Sequence, residues 1–308
     1  MRDNSVNEGG RADEPPAPTT TLSSGRPEAM LRTASLTAIS LLCFAGNSLL
    51  CRAALRPNAI DPASFTLIRI CSGALVLLLL SRARGHHRGP SGRNVVSPAA
   101  LFIYAIAFSL AYVRLPAGTG ALVLFGAVQV TMLAAALRAG ERPRPLAWLG
   151  ILLAVGGLIG LTFPGLGAPD PLGATLMAVA GASWGVYTLR GRGATDPIGA
   201  TARNFRWSVP LAVIVWVVAT GIVGGAHAEP RGLLLAAASG GVASGIGYSV
   251  WYTALPLLSA TRAAVLQLSV PAITAALAVV VLGEAVSARL VLASIAVLGG
   301  IATVVKCR

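Results

Sequence analysis

From Thr33 onward the chain is a succession of apolar runs, each broken by Arg, Pro or Gly. Ten runs are legible, at about 33–54, 62–81, 97–113, 117–138, 145–163, 172–190, 200–221, 232–253, 259–282 and 287–305. Most are close to the ~20 residues that carry a helix across about 30 Å of hydrocarbon. In lipid the backbone must satisfy its own hydrogen bonds, which leaves helices or a closed barrel. Barrel strands alternate in polarity and these runs do not. The expectation is an all-α polytopic membrane protein with ten transmembrane helices. Composition excludes the soluble alternative: 11% of residues are charged and 55% hydrophobic, where soluble domains carry about 25% charged residues.

Residues 1–32 are polar, with mixed charges and the stretch Pro15-Pro16-Ala17-Pro18, and read as a disordered cytoplasmic tail. Asp3, Glu8, Asp13 and Glu14 stand where a signal peptide needs a basic segment. The net charge of +13 comes from arginines spread along the chain, with no basic–aromatic face to track phosphates. Nucleic acid is therefore not an expected partner. The arginines instead report topology. With a cytoplasmic N-terminus, eighteen Lys and Arg fall on the cytoplasmic side and five on the other: Arg52, Arg56, Arg114, Arg231 and Arg289. The positive-inside rule then places both termini in the cytoplasm, which ten spans allow. Arg outnumbers Lys 23 to 1, the mark of a GC-rich, bacterial genome. The four cysteines show no ligand spacing, so neither a metal nor a disulfide framework is expected.

The two halves repeat one another. Ala139-Gly140-Glu141 matches Leu282-Gly283-Glu284 at an offset of 143, and Gly156-Gly157 matches Gly299-Gly300 at the same offset. Tyr112, Leu115 and Pro116 match Tyr252, Leu255 and Pro256 at 140, and Asp61-Pro62 matches Asp196-Pro197 at 135. The matches fall in one order across two blocks of five spans, residues 33–163 and 172–305. Five is odd, so the second block must insert upside-down relative to the first, the inverted repeat of many secondary transporters.

With these motifs, and with the stretch Gly247-Tyr248-Ser249-Val250-Trp251-Tyr252 through Leu255-Pro256 to Ala263-Ala264, residues 33–305 resemble the EamA family of the drug/metabolite transporter superfamily. The resemblance implies ten helices in two five-helix repeats. It also implies a small-molecule exporter or importer of the cytoplasmic membrane, often for amino acids or related metabolites. One departure stands out: Pro271 precedes Glu284 by 13 residues, but Val128 holds that place before Glu141.

Beyond residue 32 the acidic residues are Asp61, Glu141, Asp170, Asp196, Glu229 and Glu284, all at loops or span ends. Proton-driven carriers commonly use a buried carboxylate. Facilitated diffusion, exchange, or coupling at the rim fits this pattern better. Glu141 and Glu284 could serve in gating, or be solvated turn carboxylates pairing with Arg142 or Arg289. Arg69 lies about seven residues into the second span, roughly 10 Å deep. It either snorkels to the interface or faces a cavity, where it would attract a substrate carboxylate or fix a gate. Arg203 and Arg206 occupy the related place in the seventh span.

An amide inside hydrocarbon needs a partner or a wet cavity. Asn47, Gln129 and Gln267 are therefore candidate substrate-binding residues, with interhelical bonding as the bland alternative. Trp184, Tyr187 and Tyr248 complete the candidate site as groups that could stack on a substrate, while Trp251 and Tyr252 read as an interfacial belt. Gly156 and Gly160 on span five, and Gly240, Gly241, Gly245 and Gly247 on span eight, read as helix-packing surfaces. His86, His87 and His227 all lie in loops and no HExxH occurs, so an intramembrane enzyme is disfavoured. The expected function is secondary transport of a small metabolite by alternating access, with export favoured. A passive channel or structural membrane protein is the alternative. The expected partners are a small-molecule substrate and the bilayer, with a homo-oligomer open as the assembly and no cofactor.

Overall fold

The computed structural model describes residues 25–85, 95–140, 145–165, 167–191, 194–258 and 266–306. Apart from an isolated β-bridge, its regular structure there is helical: α1 Gly25–Leu55, α2 Pro62–Ala83, α3 Val96–Arg114, α4 Ala117–Arg138, α5 Pro145–Thr162, α6 Pro171–Gly191, α7 Pro197–Val223, α8 Pro230–Leu257, α9 Ser269–Leu282 and α10 Ala288–Lys306. Helices α1 to α8 are long and apolar enough to cross a membrane, and α9 and α10 are shorter apolar helices. α1 begins at Gly25, so residues 25–32 are helix and not disordered tail, while residues 1–24 lie outside the described residues. Leu152, Ile214, Leu234, Val280 and Leu292 are among many large apolar side chains left exposed. Apolar surface on this scale marks a face made for lipid. The protein is a multi-pass membrane protein.

The repeated Asp-Pro pairs turn out to be helix starts. Asp61 accepts hydrogen bonds from the backbone N–H of Ala63 and Ser64 at 3.0 and 2.8 Å, and Asp196 accepts from that of Gly199 at 2.8 Å. Each satisfies orphan donors of the first turn, and the following proline loses nothing at that position. The repeated Gly-Glu pairs are helix stops. Gly140 and Gly283 adopt left-handed backbone at φ +86° and +63°. After Gly283 the N–H of Glu284 returns to the Ala278 carbonyl at 3.2 Å, which closes α9 and fixes where the carboxylate points.

The helices pack in a pattern that treats the halves alike. α2 packs on α7, α5 on α10 and α4 on α9, while α1 lies on α8 as α6 lies on α3. Small residues permit the closest approaches. A Cβ at Gly150 would meet the Gly300 carbonyl, and one at Gly240 would meet the carbonyl of Arg69 and the Ser72 hydroxyl. On α5 the packing face carries Gly150, Ala154, Gly157 and Leu161. Gly156 and Gly160, expected there, have open space beside them because they sit about 100° round the helix from that face. α8 packs through Gly240, Gly245 and Gly247 and widens to a π-helical stretch over Ser239–Ile246. Such stretches are rare and concentrate at functional sites. Pro271 stands in the first turn of α9, behind a turn at Leu268, whereas α4 runs unbroken through Val128. The proline therefore limits only the second half.

Candidate functional site

A cavity lies midway along the bundle where the halves meet. α1 contributes Phe44, Asn47 and Ser48, α3 contributes Tyr104 and Phe108, and α4 contributes Leu124 and Phe125. The second half contributes Trp184, Ala243, Tyr248 and Gln267. Two opposed pairs come from matching places in the repeat: Leu124 and Gln267 are 143 apart, and Phe108 and Tyr248 are 140 apart. The cavity holds about 30 Å³, room for little more than a water molecule.

Trp184 is the hub of an aromatic wall. Its ring stacks on Tyr187 at 5.3 Å and 30°, and lies 5.2 Å from Tyr248 and 4.9 Å from Tyr104. The polar wall is a chain of hydrogen bonds. Ser239 Oγ donates to Asn47 Oδ1 at 2.7 Å, Asn47 Nδ2 donates to the Tyr104 hydroxyl at 3.3 Å, and Arg69 Nη2 donates to that hydroxyl at 2.9 Å.

Arg69 is 2% exposed. It does not snorkel. Its guanidinium lies 5.0 Å from the Tyr104 ring centre and 4.9 Å from that of Phe108, and both rings line the cavity. Cation–π contact on desolvated rings contributes ~2 kcal/mol, less than the several kcal/mol that burying a cation costs. Nη1 has no hydrogen-bond partner, and among the described residues no ion pair involves Arg69.

Most of the sequence-derived residues converge here. Asn47, Trp184, Tyr248 and Gln267 line the cavity, and Tyr187 backs Trp184. Gln129 does not line it. It is half-buried about one helical turn past Phe125, about 6 Å further along α4. Trp251 is buried edge-on against Phe44 at 5.8 Å, so it is not part of an interfacial belt.

A family model, the EamA-like transporter family, matches residues 31–163 and again residues 171–306. The chain belongs to the EamA-like transporter family. Among its relatives, an uncharacterized protein of Pseudomonas aeruginosa is 50% identical over 277 residues, covering 90% of this chain and 96% of that protein. A crystal structure superposes with a TM-score of 0.62 at 22% identity, covering 89% of this chain and 97% of the other, a likeness of fold.

In this EamA-like chain the two ends of the bundle are built differently. At the end where α2 begins, Arg52 Nε meets Glu284 Oε1 at 3.0 Å, with side chains only 8% and 9% exposed. Arg52 Nη1 also donates to the carbonyls of Tyr112 and Val113 at 2.8 and 3.2 Å. Glu284 Oε2 accepts from the Ala117 N–H at 2.7 Å, satisfying an orphan donor at the start of α4. The expected partner Arg289 is engaged elsewhere, donating to the carbonyls of Gly160 and Phe163. Nearby, residues 59–61 and 227–229 join through the bonds Asp61 N to His227 O at 2.9 Å and Glu229 N to Ala59 O at 2.7 Å.

At the opposite end, α2 and α7 flank a groove of about 560 Å³ lined by Arg82, Arg203, Arg206 and Asp196 among others. Arg203 and Arg206 therefore share a groove that Arg69 does not line. Glu141 lies outside the described residues.

Sequence reasoning missed the role of Arg52, which counted only as an orientation marker. The signal was present: a cation in the last turn of a span and a carboxylate at the end of another, both at the same end of the bundle. Phe44, Phe108 and Phe125 carried no such signal, since an apolar ring in an apolar run is indistinguishable from core.

Proposed function

We propose that the chain is a secondary transporter that moves a small metabolite across the bacterial inner membrane, with alternating access of two inverted five-helix repeats. The observation that carries this reading is the central cavity, lined from both halves and by matching positions of each. Two repeats that rock about such a site expose it first to one side and then to the other. The packing of α2 on α7, α4 on α9 and α5 on α10 fits a two-fold relation between the halves.

Both termini are cytoplasmic in this reading, from the arginine bias. The groove beside Arg203 and Arg206, about 560 Å³, then lies at the cytoplasmic end, and one of about 410 Å³ beside the Arg52–Glu284 pair lies at the outer end. Export is the direction proposed. Glu284 acts as an outer latch, and Glu141 is its counterpart at the inner end. Asn47, Trp184, Tyr248 and Gln267 contact the substrate, with Tyr187 supporting Trp184 from behind and Gln129 one turn along its path. The family is one of transporters, and no enzymatic role is proposed.

A thermal-shift screen of the purified protein against metabolite pools tests the site. A pool that raises Tm in the wild type, and fails to do so after Trp184→Ala or Asn47→Ala, supports it. Stabilisation that survives both substitutions moves the site elsewhere.

A further inference from the structure

We infer that the transported molecule is a small organic carboxylate of net negative charge with an apolar or aromatic body, which rests on the transporter reading above. Arg69 is buried beside the cavity with one neutral acceptor, the Tyr104 hydroxyl, and its Nη1 has none. A guanidinium fork matches a carboxylate in shape and charge, so an incoming carboxylate supplies both the missing acceptor and the missing counter-charge.

A zwitterion fits less well. Among the described residues no carboxylate lines the cavity to receive an ammonium group. Asn47 Oδ1 is engaged by Ser239, and the Tyr104 oxygen already accepts from Asn47 and Arg69. An ammonium beside Arg69 would add like charge to like. The body of the acid meets the rings of Trp184, Tyr248, Phe44 and Phe108, which must part because the cavity as it stands is small.

The grooves at the two ends of the bundle carry the same sign. One groups Arg82, Arg203 and Arg206 with the single carboxylate of Asp196. The other groups Arg52, Arg56 and Arg231 with the single carboxylate of Glu284. Basic grooves concentrate anions at either end of the bundle. An anion that leaves without a counter-ion is drawn outward by an interior-negative membrane, so export needs no buried proton relay.

The test uses the purified full-length protein and matched probes: phenylacetate, phenylacetamide and phenylalanine, then hexanoate and hexanamide, each followed by thermal shift and tryptophan fluorescence. Each acid should bind about tenfold or more tighter than its amide or the amino acid. Arg69→Gln should erase the difference between acid and amide, and Arg69→Lys should keep part of it. If Arg69→Gln does not fold, the wild-type and Lys comparisons decide. Amides or phenylalanine binding as well as the acids overturns the inference. So does an acid preference that survives Arg69→Gln, displacement of the acids by equimolar chloride, or no binding of any acid. Exchange of metabolite pools in proteoliposomes separates the two readings. Exchange of neutral or zwitterionic solutes without acids defeats this inference alone, and no exchange of any solute defeats the transporter reading.

Discussion

The first half of the chain brings a buried cation behind the cavity wall and four of the rings that line it, Phe44, Tyr104, Phe108 and Phe125, while the second half brings Trp184 and Tyr248. At the offset of 135, Arg69 corresponds to Asn204 and Asn47 to Ala182. Asn204 is half-buried and donates to the Tyr187 hydroxyl at 3.4 Å, whereas Arg69 is buried behind Tyr104. At 143, Leu124 sits in an unbroken α4 and Gln267 sits beside the turn that precedes α9. The straight α3 likewise corresponds to an α8 with a π-helical stretch. Duplication supplies a frame in which helices meet their counterparts. Divergence at matching positions then makes the cavity asymmetric, with rings from both halves and a buried cation behind the first half's wall only.

The strongest way to break this arrangement is at the contact between its walls. Gly240→Val drives a side chain into the backbone of Arg69 and should cost several kcal/mol. The check is the yield of monodisperse protein and its Tm in detergent, both of which should collapse. Next comes the latch. Arg52→Ala leaves Glu284 buried without its cation and should cost about 3–5 kcal/mol. Adding Glu284→Gln should recover part of that loss in a double-mutant cycle followed by thermal unfolding.

Smaller effects sharpen the contrast between the walls. Trp184→Ala removes the hub of the aromatic wall and should weaken substrate binding about tenfold, read by isothermal titration. Asn204→Ala, on the counterpart of Arg69, should change affinity by less than about twofold. The double variant Arg203→Gln with Arg206→Gln should slow uptake by about twofold at low salt and not at high salt, as expected of exposed charges that steer encounter.

Much of the frame is legible in the sequence because its signals are local. The apolar runs mark the helices, Asp61-Pro62 and Asp196-Pro197 mark where two of them begin, and Gly140 and Gly283 mark where two end. The site is legible only where a polar or large aromatic residue interrupts an apolar run, as at Asn47, Trp184, Tyr248 and Gln267. Gln129 gives the same signal and misses the cavity by one turn, because the sequence reports depth along α4 only to within a turn. Contacts between distant segments leave no local trace. Arg52 and Glu284 are 232 positions apart, and the closeness of Arg69 to the Tyr104 and Phe108 rings depends on how α2 meets α3.

The most direct test of the central claim is solute counterflow in proteoliposomes. Vesicles loaded with an unlabelled metabolite pool and diluted into a trace of the labelled pool should accumulate label transiently above equilibrium. Empty vesicles should not, and Trp184→Ala should lower the overshoot. Uptake at the same rate with loaded and empty vesicles would be the behaviour of a channel and would contradict an alternating-access site in this cavity.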